Sequence, residues 1–428
     1  MQRLKSVYLL LFFALVLFFI FPVLSGAQDN ADEEILLAST DAASPSPPPV
    51  VSAQAEKTPE KAPEISAFNS SAYNSNGVAS RAVEKNVGFF STRIRDKFSL
   101  WLSRSGQYLD LMKGILRKKD VPEDIVFLSL IESGFNPNAY SIAKAVGPWQ
   151  FIASTARRYG LEIDWWKDER RDPVKSTAAA ADYLKDLYGM FGSWNLAMAA
   201  YNAGEGKILK AIRKSNADDY WDLLDTKHIR DETKEYVPKF IAASIIASNP
   251  ADFGFHDIEY KEPLIYDEVE LDSPVDLAVV AECAGTELEV IKKLNPELRR
   301  WCTPPDVEKY TLKIPQGTKD AFLEKLSAVP EEERFTIDRY TVKKGDTFKK
   351  ISRMTGVPES AILSLNSMEK IMPLKVGSKI YLPPKGLYTA DRDDSASLKK
   401  VSFKKVSHKK HNKKKTSLKR SLRHARKV

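Results

Sequence analysis

The sequence predicts a multidomain chain: an all-α domain, then small α+β modules of strand–helix–helix–strand type, set between a disordered linker and a disordered tail. Three observations carry this. From about Val87 to Asn249, apolar residues recur at helical spacing with no strand-like alternation. After residue 258, two stretches of similar layout succeed each other, an internal repeat. Both flanks have compositions that cannot bury a core.

The 428 residues, 43% hydrophobic, suffice for two or more domains with cores of their own. Residues 1–27 read as a signal peptide. Arg3 and Lys5 precede an apolar run from Val7 to Leu24, and Ser25-Gly26-Ala27 supplies small residues before Gln28. Pro22 and that small-residue exit favour cleavage. The run also approaches the roughly 20 residues a spanning helix needs, so an uncleaved membrane anchor stays open. Either way the remainder is exported, to the periplasm or cell envelope.

Residues 28–85 are rich in Pro, Ala and Ser and read as a semi-extended tether. Residues 86–250 form the all-α domain. Val121-Pro122-Glu123 opens a helix with proline in its first turn. Ala178 to Tyr188 and Trp194 to Tyr201 are further apolar-faced segments, and Glu232 to Ala247 is another, interrupted by Pro238.

The repeat occupies 258–330 and 338–384. In the second copy, Tyr340-Thr341-Val342 is a strand and Lys344 to Thr347 a turn. Phe348 to Ser352 and Glu359 to Asn366 are helices, and Gly377 to Pro383 closes the unit. The first copy runs Asp267 to Leu271, Val275 to Cys283, Glu287 to Asn295 and Tyr310 to Pro315 in the same roles. Its Cys283 and Cys302 are either a disulfide, natural in an oxidising compartment, or two buried free thiols.

The net charge of +8 belongs to the tail, residues 385–428. Fourteen Lys and Arg lie between Lys399 and Val428 with no acid, which leaves the rest of the chain at −6. Such a tail suits nucleic acid, but the export signal argues against meeting any. The alternatives are an anionic membrane or wall surface, or a solvated end with no fixed partner.

One carboxylate stands out. On the helix opened by Pro122, Ile125, Leu128 and Ser129 share a stripe, and Glu132 falls on it. A glutamate there points toward the interior, where desolvation disfavours its charged form. The helix is expected to end at Gly134, which brings the negative end of the helix dipole to the same carboxyl. Both effects raise its pKa, as proton donation to a leaving oxygen requires. A core glutamate neutralised by a nearby cation remains the alternative on helix position alone.

The residues after Glu132 narrow the choice. Glu132-Ser-Gly-Phe-Asn-Pro-Asn-Ala-Tyr-Ser141 leads to Ala145-Val-Gly-Pro-Trp-Gln-Phe151, then to Ala199-Ala-Tyr-Asn-Ala-Gly204 and Asp231-Glu-Thr-Lys-Glu-Tyr-Val-Pro238. Over about residues 90 to 250 the chain resembles the lytic transglycosylases of the goose-lysozyme-like fold. The resemblance implies a lysozyme-like domain in which Glu132 is the single catalytic acid/base. It implies that Ser141, Gln150, Tyr201, Asn202 and Glu232 line the substrate groove. Peptidoglycan glycan strands would be the substrate, with no cofactor and no metal. The bond between N-acetylmuramoyl and N-acetylglucosaminyl residues would be cleaved without water, leaving a 1,6-anhydromuramoyl end. Lysozyme-type hydrolysis is the alternative chemistry, and a non-catalytic peptidoglycan-binding scaffold the alternative class. Two positions depart from the family pattern: Lys144, where glycine is common, and Pro148, where an apolar residue is common. They bear on loop shape and not on chemistry.

Asp164, Asp168 and Asp172 could supply a hydrolase's second carboxylate; pairing with Arg170 and Arg171 is the expectation instead. Trp149, Phe151, Tyr159, Trp165 and Trp166 could stack on sugar rings, but each is expected in the core. Residues 340–384 resemble a LysM module, which implies binding of N-acetylglucosamine-containing glycans near Asp346, Thr347 and the 371–374 stretch. Asn366 is expected to cap locally. Residues 264–317 look like a degenerate second copy, with Leu271-Asp-Ser-Pro274 in place of the Gly-Asp-Thr turn.

Overall fold

The computed structural model describes residues 77–388. The expected signal peptide, most of the linker and nearly all of the basic tail lie outside the described residues. Among the described residues no helix is long and apolar enough to cross a membrane.

Helix α1 (Gly77–Gly88) lies largely inside the stretch expected as linker. Its Val83 is buried in the main core, and Lys85 and Asn86 donate to Glu235 at 2.7 and 2.9 Å. Composition misses it because one buried valine and two polar contacts to a distant helix hold it. A π-helical turn (Phe89–Arg93) leads into the long helix α2 (Arg95–Lys118). Phe98, Trp101, Leu102, Ser105, Tyr108, Met112 and Leu116 recur at helical spacing on its buried face.

A 3₁₀ turn (Glu123–Val126) then runs into α3 (Phe127–Ser133), which stops where Gly134 adopts φ 60°. A Cβ on Gly134 would lie 2.0 Å from the Trp101 ring, so only glycine ends the helix this close to α2. Helix α4 (Ala153–Arg158) comes next. Helix α5 (Pro173–Phe191) opens with Pro173 and is capped by Asp172, which accepts from the amides of Val174 and Lys175. Helix α6 (Trp194–Ala203) runs through the centre, where Ala197, Ala199 and Ala200 have no exposed surface and let neighbouring helices close on it. Helices α7 (Glu205–Ser215), α8 (Tyr220–Leu224) and α9 (Asp231–Ser248) complete the domain.

Pro238 does not interrupt α9. It removes the amide that would bond to the Lys234 carbonyl, and Tyr220 Oη donates to that carbonyl at 2.7 Å instead. A tyrosine from α8 thus keeps α9 continuous, a partner no local reading could supply.

In the first module β1 (Tyr266–Leu271) precedes α10 (Leu277–Ala284) and α11 (Leu288–Leu294), and β2 (Tyr310–Pro315) closes it. The strands are antiparallel, with Tyr266 opposite Pro315 and Leu271 opposite Tyr310. An unexpected helix, α12 (Lys319–Ala328), drops Phe322 and Leu326 into the same core. Cys283 and Cys302 are buried free thiols, which decides between the two readings of that pair. After the short α13 (Glu331–Arg334), the second module has β3 (Asp338–Thr341), α14 (Phe348–Thr355), α15 (Glu359–Leu365) and β4 (Lys379–Leu382). Asp338 pairs with Leu382, and Thr341 with Lys379. Asn366 ties α15 to β4 by exchanging bonds with the Tyr381 backbone.

The modules dock on the helical domain. Lys313 of β2 donates to Asp172 at 2.6 Å in a buried pair, and Trp166 donates to Ser364 of α15 at 2.8 Å. Trp165 and Trp166 share an apolar cluster with Val342, Phe348 and Ile351 of the second module.

Candidate active site

Four elements meet at Glu132. Helix α3 carries it, one turn after Leu128, and the 139–151 loop is stitched to that helix. Ser129 and Ser133 Oγ both donate to the Pro148 carbonyl, at 3.0 and 2.9 Å. From the other side Tyr201, near the end of α6, donates to the Trp149 carbonyl at 2.7 Å. Helix α9 supplies the third wall, where Tyr236 Oη donates to Glu132 Oε1 at 2.5 Å.

This surrounding protein governs the carboxyl. Burial pushes Glu132 from its ordinary 4.5 up to about 7. The Tyr236 hydrogen bond and the Lys239 charge act against that rise, and the like charge of Glu232 adds to it. Glu132 therefore holds a proton near neutral pH while one edge still reaches solvent. Burial and the proximity of Glu132 keep the Tyr201 and Tyr236 phenols well above their ordinary range, so both stay neutral.

The residues singled out from the sequence divide into three groups. Tyr201 and Glu232 act electrostatically on or with Glu132, and Asn202 beside them accepts from Thr233 Oγ1 at 2.9 Å, joining α6 to α9. Ser141 and Gln150 shape the loop. The buried Ser141 Oγ accepts from the Ala145 amide at 3.0 Å, and Gln150, at φ 49°, donates to the Gly147 carbonyl at 2.8 Å. No hydrogen bond joins either to Glu132 among the described residues. Asp346 and Thr347 stand apart, in the second module. Asp346 accepts from Tyr340 Oη, the Lys343 amide and Lys350 Nζ, and Thr347 caps α14 at the Lys350 amide.

Sequence reasoning misses Tyr236, although it marks the segment around it. The signal is present: Tyr236 lies one helical turn after Glu232, so both project from the same face of α9.

Trp149 and Phe151 are core residues of the helical domain, Tyr159 packs half-buried against that core, and Trp165 and Trp166 face the second module. The acidic cluster is structural, with different partners for two of its three acids. Asp168 forms a buried two-point pair with Arg170, while Asp172 pairs with Lys313. Asp164 accepts from the amides of Trp166 and Lys167. Arg170 in turn donates to the carbonyls of Lys144 and Phe151, bracing the loop that carries Gln150. Lys144 itself sits at φ 63°, the left-handed region that glycine occupies without strain, which is the physical meaning of that departure.

A proton-holding carboxyl partly open to solvent in a helical domain, succeeded by two strand–helix–helix–strand modules, marks the class. The transglycosylase SLT domain family matches residues 112–224 and the LysM domain family matches 340–383. Between them, residues 266–331 match the LysM-like domain of lytic transglycosylase MltD. The chain therefore carries an SLT domain, a LysM-like domain and a LysM domain in that order. In particular, it is 34% identical over 280 residues to membrane-bound lytic murein transglycosylase D of Escherichia coli K12, covering 62% of this chain and 61% of that one. It is also 34% identical over 131 residues to peptidoglycan transglycosylase gp16 of Escherichia phage T7, covering 29% of this chain and 9% of that one. The crystal structure of the 70 kDa soluble lytic transglycosylase of Escherichia coli overlaps 36% of this chain and 26% of that one, at 23% identity and a TM-score of 0.29.

Proposed function

We propose that the protein is an exported lytic transglycosylase that cleaves the N-acetylmuramoyl–N-acetylglucosaminyl bond of peptidoglycan and leaves 1,6-anhydromuramoyl ends. The observation that carries this is the Glu132 carboxyl, raised to about 7, held by Tyr236 and partly open to solvent. Protonated, it donates to the bridging oxygen as the bond breaks. The resulting carboxylate then takes the proton of the muramoyl C6 hydroxyl, which attacks the anomeric carbon and closes the anhydro ring. One group serves as acid and then base, and no water is consumed.

Hydrolysis is the second reading, and Glu232 favours it. It is a second carboxylate near enough to act on Glu132, and its Oε1 is buried without a hydrogen-bond partner. Mass spectrometry of digested peptidoglycan separates the two. Anhydro ends from the wild type and none from Glu132→Gln support transglycosylation. Reducing muramic acid ends alone support hydrolysis, and undiminished cleavage by Glu132→Gln removes Glu132 from the chemistry.

The LysM module concentrates the enzyme on an insoluble polymer, where weak binding by one module still raises the local substrate level. Asp346 and Thr347 serve this by fixing the turn, and exposed Ile371 and Met372 lie on the stretch expected at the glycan. The apolar run at 7–24 supports export from the cytoplasm, and the basic tail would meet anionic lipid or wall groups outside it.

A further inference from the structure

Lys313 stands on the unexpected face of its strand. In β2, Tyr310, Leu312 and Ile314 enter the core of the first module, so alternation turns Thr311 and Lys313 outward. Thr311 is exposed, but Lys313 is buried, because its side of the sheet lies on the helical domain. A buried lysine needs a partner, and Lys313 Nζ donates to the buried Asp172 at 2.6 Å. Burial favours the neutral amine, yet Glu297 and Asp172 outweigh it and hold the ammonium charged. The module fixes Lys313 from behind as well. Asn295 accepts from its amide at 2.9 Å and donates to its carbonyl at 2.8 Å, and the buried Glu297 accepts from Tyr310 Oη at 2.9 Å.

The contact continues along the backbone. The Asp168 amide donates to the Glu297 carbonyl at 2.8 Å and the Arg299 amide to the Trp166 carbonyl at 2.9 Å. The Arg299 guanidinium reaches the Asp164 carbonyl at 2.8 Å. The segment held in this way is the one that holds the active-site loop. Asp168 grips Arg170, and Arg170 donates to the Lys144 and Phe151 carbonyls. The Arg170 carbonyl in turn packs on Gly147 so closely that no Cβ fits between them. Inside the loop Val146 and Phe151 exchange backbone bonds, and the Pro148 carbonyl takes both serines of α3. Polar contacts therefore run from Lys313 to the helix that carries Glu132.

We propose that Lys313 is a positioning residue for the active site, and that the first module braces the 139–151 loop instead of serving as a second tether. The proposal rests on the reading of Glu132 as the catalytic acid. A module that only concentrates the enzyme on a polymer works from a flexible link. It has no need to bury Lys313 and Glu297 against Asp172, Asp168 and Arg170, since removing charges from water is costly unless their geometry is fixed. What that cost secures is a loop held at one distance from α3, where a small displacement of the catalytic group lowers the rate steeply.

The test uses the full chain, soluble peptidoglycan fragments as substrate, and amide hydrogen exchange at Val146 and Phe151. Lys313→Met removes the cation. Lys313→Met/Asp172→Asn removes both charges and keeps a side chain able to cap α5, so a folded chain is compared even if the single variant unfolds. Leu326→Ala weakens the core of the same module without touching the pair. The expected result is a fall of about tenfold in kcat for the Lys313 variants, larger than any rise in KM, with faster exchange at both amides. Retention on insoluble peptidoglycan should stay at the wild-type level, and Leu326→Ala should leave kcat and exchange unchanged. Unaltered kcat and exchange in a folded Lys313 variant overturn the positioning role. An equal loss in Leu326→Ala also overturns it, because general module stability then accounts for the effect. Reduced retention with cleavage of soluble fragments spared makes the module a tether and equally overturns the brace. Wild type that cleaves no fragment overturns the functional reading instead, and the exchange rates alone then decide whether the brace exists.

Discussion

Tyr236 donates its hydroxyl to Glu132 at 2.5 Å from a position 104 residues further along the chain. The bond favours the ionised carboxylate, while burial favours the protonated acid and prevails. The pair therefore sets both where the acid points and at what pH it yields its proton.

Removing the hydroxyl in Tyr236→Phe takes away the interaction that lowers the Glu132 pKa, so the pKa rises further above about 7. Activity that needs the protonated acid falls off as pH rises through that value. The basic limb of the kcat/KM profile should thus move to higher pH, with a lower plateau as the carboxyl loses its anchor. A limb that stays put or moves down would show that Tyr236 does not tune Glu132.

Glu132 also links stability to pH. Its carboxyl is raised in the fold, so the native state holds a proton that the unfolded chain has already released between about 4.5 and 7. Stability is then full below about 4.5 and is lost as pH rises toward 7, by about 3 kcal/mol. Glu132→Gln lacks this loss. The Tm advantage of the variant over wild type should widen from pH 5 to pH 8. A gap independent of pH would contradict the raised carboxyl.

The Asp168–Arg170 pair is buried on both sides and braces the loop through the Lys144 and Phe151 carbonyls. Asp168→Ala removes the carboxylate beside a buried guanidinium, which costs about 3–5 kcal/mol. Urea unfolding should register that loss. Replacing a surface acid such as Glu289, in an exposed pair with Lys292, should stay below about 1 kcal/mol.

Lys144 holds φ 63° where glycine carries no strain. Lys144→Gly relieves about 1 kcal/mol of backbone strain, partly offset by the freer unfolded chain. Thermal unfolding should show an unchanged or slightly raised Tm. Gly147→Ala should do the reverse and severely, because φ is 84° and an added Cβ would meet the Arg170 carbonyl oxygen at 1.8 Å.

Deleting residues 338–428 should lower retention on insoluble peptidoglycan and spare cleavage of soluble fragments. It also uncovers part of Trp165 and Trp166, which pack against that module as well as against Trp301 and Cys302. The remaining chain should therefore unfold at a lower Tm than the full protein. Unchanged pull-down would refute tethering, and an unchanged Tm would refute the docking.

By itself the sequence determined the all-α domain, the repeated strand–helix–helix–strand units and the inward face on which Glu132 lies. These arise from periodicity and from stops such as Gly134, which act within a few residues. Tertiary structure alone decided the helix over Gly77–Gly88, the continuity of α9 past Pro238, the free state of Cys283 and Cys302, and the Lys313 partner of Asp172. It also decided the hydroxyl that holds Glu132. Each of these depends on a group far away in the chain arriving at hydrogen-bonding or packing distance. The sequence supplied a glutamate that faces inward with an expected raised pKa; only the packing of the whole domain around it buries the carboxyl enough to keep its proton near neutral pH against the opposing hydrogen bond from α9.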